Sequence, residues 1–288
     1  MKRKQAIAHP SFFTRTLVSI MSFLILCATL IASSPSSAWG ATAANSKTIC
    51  ASSGEQITYS KMDIDRDGAK DSVTLSVDDS TVRVFVNDKR VYSFDSHKHG
   101  LTRSSSFDTE LYAEIKLMKM SSGRAFTYLH VAVEGTGYWR DYVLAYEKGK
   151  LTRVLDANKI TKGTGAGRHY VSGIKAKGNR IVIHHSASVG KYLEARYSYK
   201  YKNKKLVRTS KTGAWLGEKK VRSMRNNLPV YKSPKCKGIT TRLKEGQKVR
   251  ISKIYLNGGR AIVKVKTSSG KTGWVKVTDN SLDYLTFL

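Results

Sequence analysis

The feature that most constrains this chain is a period of two in its apolar residues. Val82, Val84 and Val86 alternate with Arg83, Phe85 and Asn87, and Leu129, Val131 and Val133 alternate with His130 and Ala132. Ile181 and Ile183 alternate with Val182 and His184 in the same way. Successive side chains of an extended chain point to opposite faces, so this pattern predicts strands rather than helices. No stretch carries a sustained apolar stripe at helical spacing. Residues 110–120 admit a helical reading, but Leu111, Ala113, Ile115 and Leu117 alternate with Tyr112, Glu114, Lys116 and Met118, and a strand is expected there. Turn formers punctuate the runs at Asn87-Asp88, Lys148-Gly149, Gly178-Asn179, Asn203, Gly258-Gly259 and Ser269-Gly270.

The runs gather in fours. One group covers 57–62, 72–77, 81–87 and 90–95, and a second covers 110–120, 126–134, 140–147 and 150–157. A third covers 168–177, 180–186, 193–201 and 204–211, and it ends in a hairpin like that of the second. Four-stranded meanders repeating at roughly 40–60 residues are how propeller blades present themselves in a sequence. Three are fewer than the roughly four to eight of a closed propeller. An all-β, blade-like domain over 55–216 is therefore expected, as a partial propeller, a sandwich or a mixed sheet.

Residues 1–40 read as an export signal. Lys2, Arg3, Lys4 and Arg15 accompany an apolar run over 17–31, which is of signal-peptide length and short for a bilayer span. Ala38-Trp39-Gly40 before Ala41 has the small-x-small form of a cleavage site. An uncleaved anchor helix is the competing reading. Residues 41–54 are expected to form a flexible mature N-terminus, and no later segment is apolar for long enough to span a membrane. An exported location permits a disulfide between Cys50 and Cys236; two separate thiols are the alternative.

Charge is unevenly spread. Residues 41–120 hold 11 bases and 12 acids, residues 121–216 hold 19 and 5, and residues 217–288 hold 17 and 4, within a formal net charge of +30. A positive field of that size favours polyanions, and a merely soluble lysine-rich surface is the alternative. In an exported protein the candidates are anionic wall polymers, acidic glycans, anionic lipid head groups and extracellular nucleic acid, the last ranking behind the wall.

The most specific short motif is Asp63-Ile64-Asp65-Arg66-Asp67-Gly68-Ala69-Lys70-Asp71. Carboxylates at positions 1, 3 and 5 fold round a hard cation, glycine at position 6 permits the sharp turn, and position 7 offers a backbone carbonyl. Asp63, Asp65, Asp67, Ala69 (through its carbonyl) and Asp71 are thus candidate ligands of a structural Ca²⁺, with a metal-free acidic turn as the alternative. The motif resembles the D-x-D-x-D-G-x-x-D loops of FG-GAP and VCBS-type repeats and of dockerins. Position 12 is Thr74 and not the glutamate of a helical EF-hand, which suits a loop flanked by strands.

The C-terminal part has its own signature. Leu228-Pro229-Val230-Tyr231 opens it, Leu243-Lys244-Glu245-Gly246-Gln247-Lys248-Val249 makes a turn, and Gly270-Lys271-Thr272-Gly273-Trp274-Val275 closes it. These segments resemble a bacterial SH3 domain over 221–288. The resemblance implies a small β-barrel and, as in many such domains, binding to the cell wall and to peptidoglycan peptides especially. Arg260-Ala261 stands where the family often carries an aromatic, which blurs any inherited pocket. Trp274 is expected in the core, with a place on a binding surface as the alternative, and Tyr231 and Tyr255 are weaker candidates for an exposed ligand contact.

Catalytic patterns are missing. There is no Gly-x-Ser-x-Gly elbow and no His-Glu-x-x-His zinc motif. Neither Cys50 nor Cys236 lies in the context of an activated thiol. His97-x-His99 and His184-His185 have no evident third ligand, and Glu134 to Arg140 reads as a hairpin loop. The expectation is a secreted, non-enzymatic binding protein associated with the cell wall, braced by Ca²⁺. The alternatives are a wall hydrolase or its targeting subunit, and a binder of extracellular polyanions or nucleic acid.

Overall fold

The computed structural model describes residues 46–101, 110–134, 138–160, 169–189, 191–217, 219–223, 226–257, 260–277 and 285–287. The export signal expected over 1–40, residues 41–45 and part of the Glu134–Arg140 loop lie outside these. No helix among the described residues is long and apolar enough to cross a membrane.

The chain is all-β. Its strands are β1 (Ser46–Ser52), β2 (Gln56–Met62), β3 (Asp71–Val77), β4 (Thr81–Val86), β5 (Lys89–Asp95), β6 (Leu111–Lys119), β7 (Ala125–Val133), β8 (Tyr138–Glu147) and β9 (Lys150–Asp156). A 3₁₀ turn, Ala157–Lys159, follows. Then come β10 (His169–Lys177), β11 (Arg180–Val189), β12 (Lys191–Lys202), β13 (Lys205–Arg208), β14 (Thr212–Trp215), β15 (Lys220–Ser223) and β16 (Leu228–Tyr231). The last are β17 (Ile239–Leu243), β18 (Lys248–Asn257), β19 (Arg260–Thr267), β20 (Thr272–Val277) and β21 (Leu285–Phe287).

These strands form three antiparallel sheets. The first four-stranded group is a meander, β2-β3-β4-β5. The second group forms β6-β7-β8-β9 and gains β1 on its β6 edge. The third group opens a 12-stranded sheet, β10-β11-β12-β14-β18-β19-β20-β16-β17, with β13, β15 and β21 paired beside this path. No closed propeller or barrel is present among the described residues.

Residues 46–52, expected to be flexible, are ordered as β1 against β6, with Ile49 facing Ile115 and Ala51 facing Ala113. Both side chains are buried in the apolar cluster below the sheet, which gives the strand its hold. Two-residue hairpin turns occur where the sequence placed them. Asn87-Asp88, Lys148-Gly149 and Asn203-Lys204 all have both residues at positive φ, the twist that suits a tight hairpin.

The five-stranded sheet is the middle layer. One of its faces, with Leu111, Ala113, Ile115, Leu117, Leu129 and Val131, packs on the β2–β5 meander through Val73, Leu75, Val82, Val84 and Phe94. Its other face contributes Met118, Phe126, Tyr128, Val143 and Ala145 to a second cluster, shared with Ile181, Ile183, Tyr197, Val263 and Val275 of the large sheet. The strict alternation of β6 and β7 serves both cores at once.

Residues 44–288 form one compact unit. The long strand β18 joins its parts: Lys248–Arg250 pair with β15, and Lys253–Tyr255 pair with β14. A register shift between Ile251 and Lys253 separates the two pairings. Gly273 lies where β16 crosses β20. A Cβ there would fall inside the van der Waals radius of Val230 Cγ1 and 2.6 Å from the Tyr231 carbonyl oxygen.

Candidate functional site

The acidic loop connects β2 to β3. It turns through left-handed Arg66 (φ +73°) and Gly68 (φ +94°), and its carboxylates first satisfy their own backbone. Arg66 N–H donates to Asp63 Oδ1 at 2.6 Å, Asp67 N–H to Asp65 Oδ1 at 3.1 Å, and Ala69 N–H to Asp67 Oδ1 at 2.8 Å. Asp71, 1% exposed, ties the loop off. Its Oδ2 accepts from Ile64 N–H at 2.5 Å and Asp65 N–H at 3.2 Å, and its Oδ1 accepts from Asn87 Nδ2 at 2.6 Å.

Asp63, Asp65 and Asp71 each bring one oxygen into a group within 4.8 Å. Oxygens bound to a common Ca²⁺ at about 2.4 Å are at most about 4.8 Å apart, so the group has the size of a hard-cation site. Asp67 lies outside this group of carboxylates. The cluster could hold a metal ion, and one cation already stands against it. Lys119 Nζ, from the end of β6, donates to Asp63 Oδ2 at 3.1 Å and to the Asp63 carbonyl at 3.2 Å. That contact holds the Asp63 carboxyl below the usual range, helped by the Arg66 N–H against a desolvation effect. Asp65 is moved the other way. The Asp67 N–H favours its charge, but desolvation and repulsion from Asp71, Asp67 and Asp63 outweigh that bond. A divalent cation would relieve this repulsion.

The three aromatics singled out in the C-terminal part share one face of the large sheet. Tyr231 faces Trp274 across β16 and β20, Trp274 faces Lys264, and Lys264 faces Lys253. One row along, Tyr255 faces Ile262, which faces Lys276. The opposite face carries Val263, Val265, Val275 and Ile254, all in the core. Trp274 is 8% exposed, whereas Tyr231 and Tyr255 are half-buried and Lys253 and Lys276 are exposed. The result is an aromatic strip interleaved with ammonium groups, in which Lys264 and the buried Ile262 of β19 stand between Trp274 and Tyr255.

Cys50 and Cys236 are free thiols. Cys50 is exposed on β1, where it faces Glu114. Cys236 occupies a left-handed turn (φ +57°) after β16.

One constellation was invisible in the sequence because only the strand register creates it. Glu114, His130 and Asp141 are successive cross-strand partners on β6, β7 and β8. Asp141 is 0% exposed, accepts Tyr128 Oη–H at 2.6 Å, lies 2.8 Å from His130 Nδ1, and accepts Val171 N–H of β10 at 3.3 Å. Burial pulls the His130 pKa down, but the bond and charge of Asp141 together with Glu114 outweigh it, and the net shift is upward. Burial also pushes the Glu114 carboxyl up. Cys50 continues this row, two strands from His130. At about 4.8 Å per strand that separation is close to 10 Å, beyond a direct thiol–imidazole bond.

His99 and His185 serve packing. His99 stacks on Phe94 with ring centroids 4.4 Å apart, and His185 lies 3.0 Å from Tyr199 Oη. Among the described residues, the Asp63–Asp65–Asp71 group is the sole cluster of at least three His, Cys, Asp or Glu side chains of metal-site size. No family model, curated protein or solved structure matches the chain.

Proposed function

We propose that this chain is an exported, non-enzymatic binding protein that holds peptidoglycan or an anionic wall polymer through its C-terminal SH3-like part, on a β scaffold braced by Ca²⁺. The observation that carries the reading is the aromatic strip of Tyr231, Trp274 and Tyr255 interleaved with Lys253, Lys264 and Lys276, in which the two half-buried tyrosines are the accessible rings. Aromatic faces take sugar rings and apolar peptide groups, and the ammonium groups beside them attract phosphate and carboxylate. The strand pairing supports the SH3-like resemblance, since β18, β19 and β20 form a meander and β15 pairs with both β18 and β21. The 17 bases against 4 acids over 217–288 give the field its sign. Calcium fits the acidic loop because all three converging donors are carboxylate oxygens, the ligands of a hard cation.

The test incubates the full chain with a suspension of purified cell wall and follows sedimentation and turbidity together. The reading expects the protein in the pellet and an unchanged suspension, with retention reduced by Tyr255→Ala. Clearing of the suspension, abolished by Cys50→Ala, would replace this reading with the hydrolase alternative.

A further inference from the structure

A groove of about 570 Å³ opens where the β6–β7 turn meets the β10–β11 turn and β12. It lies outside the aromatic strip, and its case does not depend on that strip. The two turns are locked together: Ser121 N–H donates to the Gly178 carbonyl at 3.2 Å, and Ser122 N–H to Asn179 Oδ1 at 2.8 Å. One wall is equally fixed. The Arg124 guanidinium lies 4.5 Å from the Tyr201 ring centroid, and Glu147 Oε1 accepts from Arg124 Nη1 at 2.8 Å and from Tyr201 Oη at 2.6 Å.

Apart from Met120, the rest of the lining is cationic. Lys177 and Arg180 are direct cross-strand partners on β10 and β11. The β11–β12 register, in which Ile181 faces Tyr199, continues to put Lys200 beside Arg180. Three like charges thus stand in one row across three strands, an arrangement that costs stability when nothing neutralises it. No described carboxylate forms an ion pair with any of the three. Glu147, the carboxylate nearest the wall, is already committed to Arg124 and Tyr201.

We propose that this groove binds the phosphate groups of a phosphate-linked polymer. Three cations projecting from three adjacent strands suit a tetrahedral oxyanion, whose oxygens point in several directions, better than a planar carboxylate that a single guanidinium can saturate. A bound phosphate relieves the repulsion within the row.

The test measures binding of a synthetic glycerol-phosphate hexamer to the full chain at fixed low salt, with a galacturonate hexamer of equal charge alongside. Reversing the pair Lys177→Glu/Arg180→Glu weakens phosphate-hexamer binding by about tenfold or more, because two direct phosphate contacts are lost. Reversing the exposed pair Lys89→Glu/Arg90→Glu on the β2–β5 meander, an identical change in net charge, weakens it by less than about threefold. The milder Lys200→Gln weakens it by about threefold and guards against misfolding of the double variant. Equal losses from the two charge reversals would overturn the proposal, because net charge would then act without a site. Equally tight binding of the galacturonate hexamer, equally sensitive to Lys177→Glu/Arg180→Glu, would overturn the assignment to phosphate. Tyr255→Ala leaves binding of the phosphate hexamer within about twofold, so failure of the aromatic strip and failure of this groove give different results.

Discussion

His130 Nδ1 lies 2.8 Å from Asp141 Oδ1, and the aspartate is fully buried. Asp141 therefore joins three elements: Tyr128 and His130 of β7, its own strand β8, and Val171 N–H of β10 in the neighbouring sheet. Asp141→Ala leaves these donors without their acceptor and is expected to cost about 3 kcal/mol or more. For a unit of this size that is a fall in Tm of roughly 6–12 °C. A change of under about 2 °C in a thermal melt would show that the joint is dispensable.

The same pair sets a pH dependence. The folded His130 pKa is raised, so its contribution is complete below about pH 6.5, the unfolded value, and is lost as pH climbs through the raised value. Glu114 acts in the same direction at lower pH, because its raised pKa makes ionisation unfavourable in the fold. Stability is expected to decline above about pH 6.5, and His130→Gln should flatten that decline. Melts across a pH series check this, and an unchanged slope in the variant would contradict it.

This constellation also shows where the sequence stopped being informative. Alternation marked β6, β7 and β8 individually, and the two-residue turn Lys148-Gly149 marked the β8–β9 hairpin. The row Glu114–His130–Asp141 depends on which residues face each other, and no periodicity encodes that. Strand β1 gives little signal in the sequence, because its seven residues carry only two apolar positions, Ile49 and Ala51, that alternate into the core. The acidic loop was legible because all its carboxylates lie within nine residues. That Asp67 stands apart from the converging oxygens was not, because spacing alone does not say which carboxylates a turn brings together. The Lys119 contact was hidden for a different reason, since its partner lies 56 residues away.

Calcium should stabilise the fold through Asp63, Asp65 and Asp71. A site of extracellular grade, with Kd of about 0.1–1 mM, gives about 1.4–2.7 kcal/mol at 10 mM Ca²⁺. That corresponds to a rise in Tm of roughly 3–10 °C. Asp65→Asn should abolish the rise, whereas Lys119→Gln, which removes the competing ammonium from Asp63, should tighten binding about threefold or more. A rise retained in full by Asp65→Asn would place the ion elsewhere.

Gly273 is expected to be the least replaceable glycine among those described. Gly273→Ala drives its methyl into Val230 Cγ1 and the Tyr231 carbonyl and should cost about 3 kcal/mol. Gly246→Ala, with nothing within 4 Å and a φ of +72°, should cost only about 1 kcal/mol. Urea titration of the two variants ranks them, and a reversed order would mean that β16 does not cross β20 as closely as described.

The thiols give a simple check on the covalent structure. Cys50→Ser and Cys236→Ser, alone and together, should leave Tm within about 2 °C, since a lost bridge would instead cost about 2–5 kcal/mol. A large fall shared equally by both single variants would establish a bridge.

The central claim, an anionic wall ligand held by a defined surface, is tested most directly by a salt series. The full chain is equilibrated with cell wall that either carries or has been stripped of its anionic polymers, and the bound fraction is measured as sodium chloride rises. The account predicts strong retention on the polymer-bearing wall, weakened by Tyr255→Ala and persisting beyond about 0.3 M salt, where simple surface attraction is largely screened. Retention that vanishes at moderate salt and ignores Tyr255→Ala would contradict it and leave charge alone as the cause.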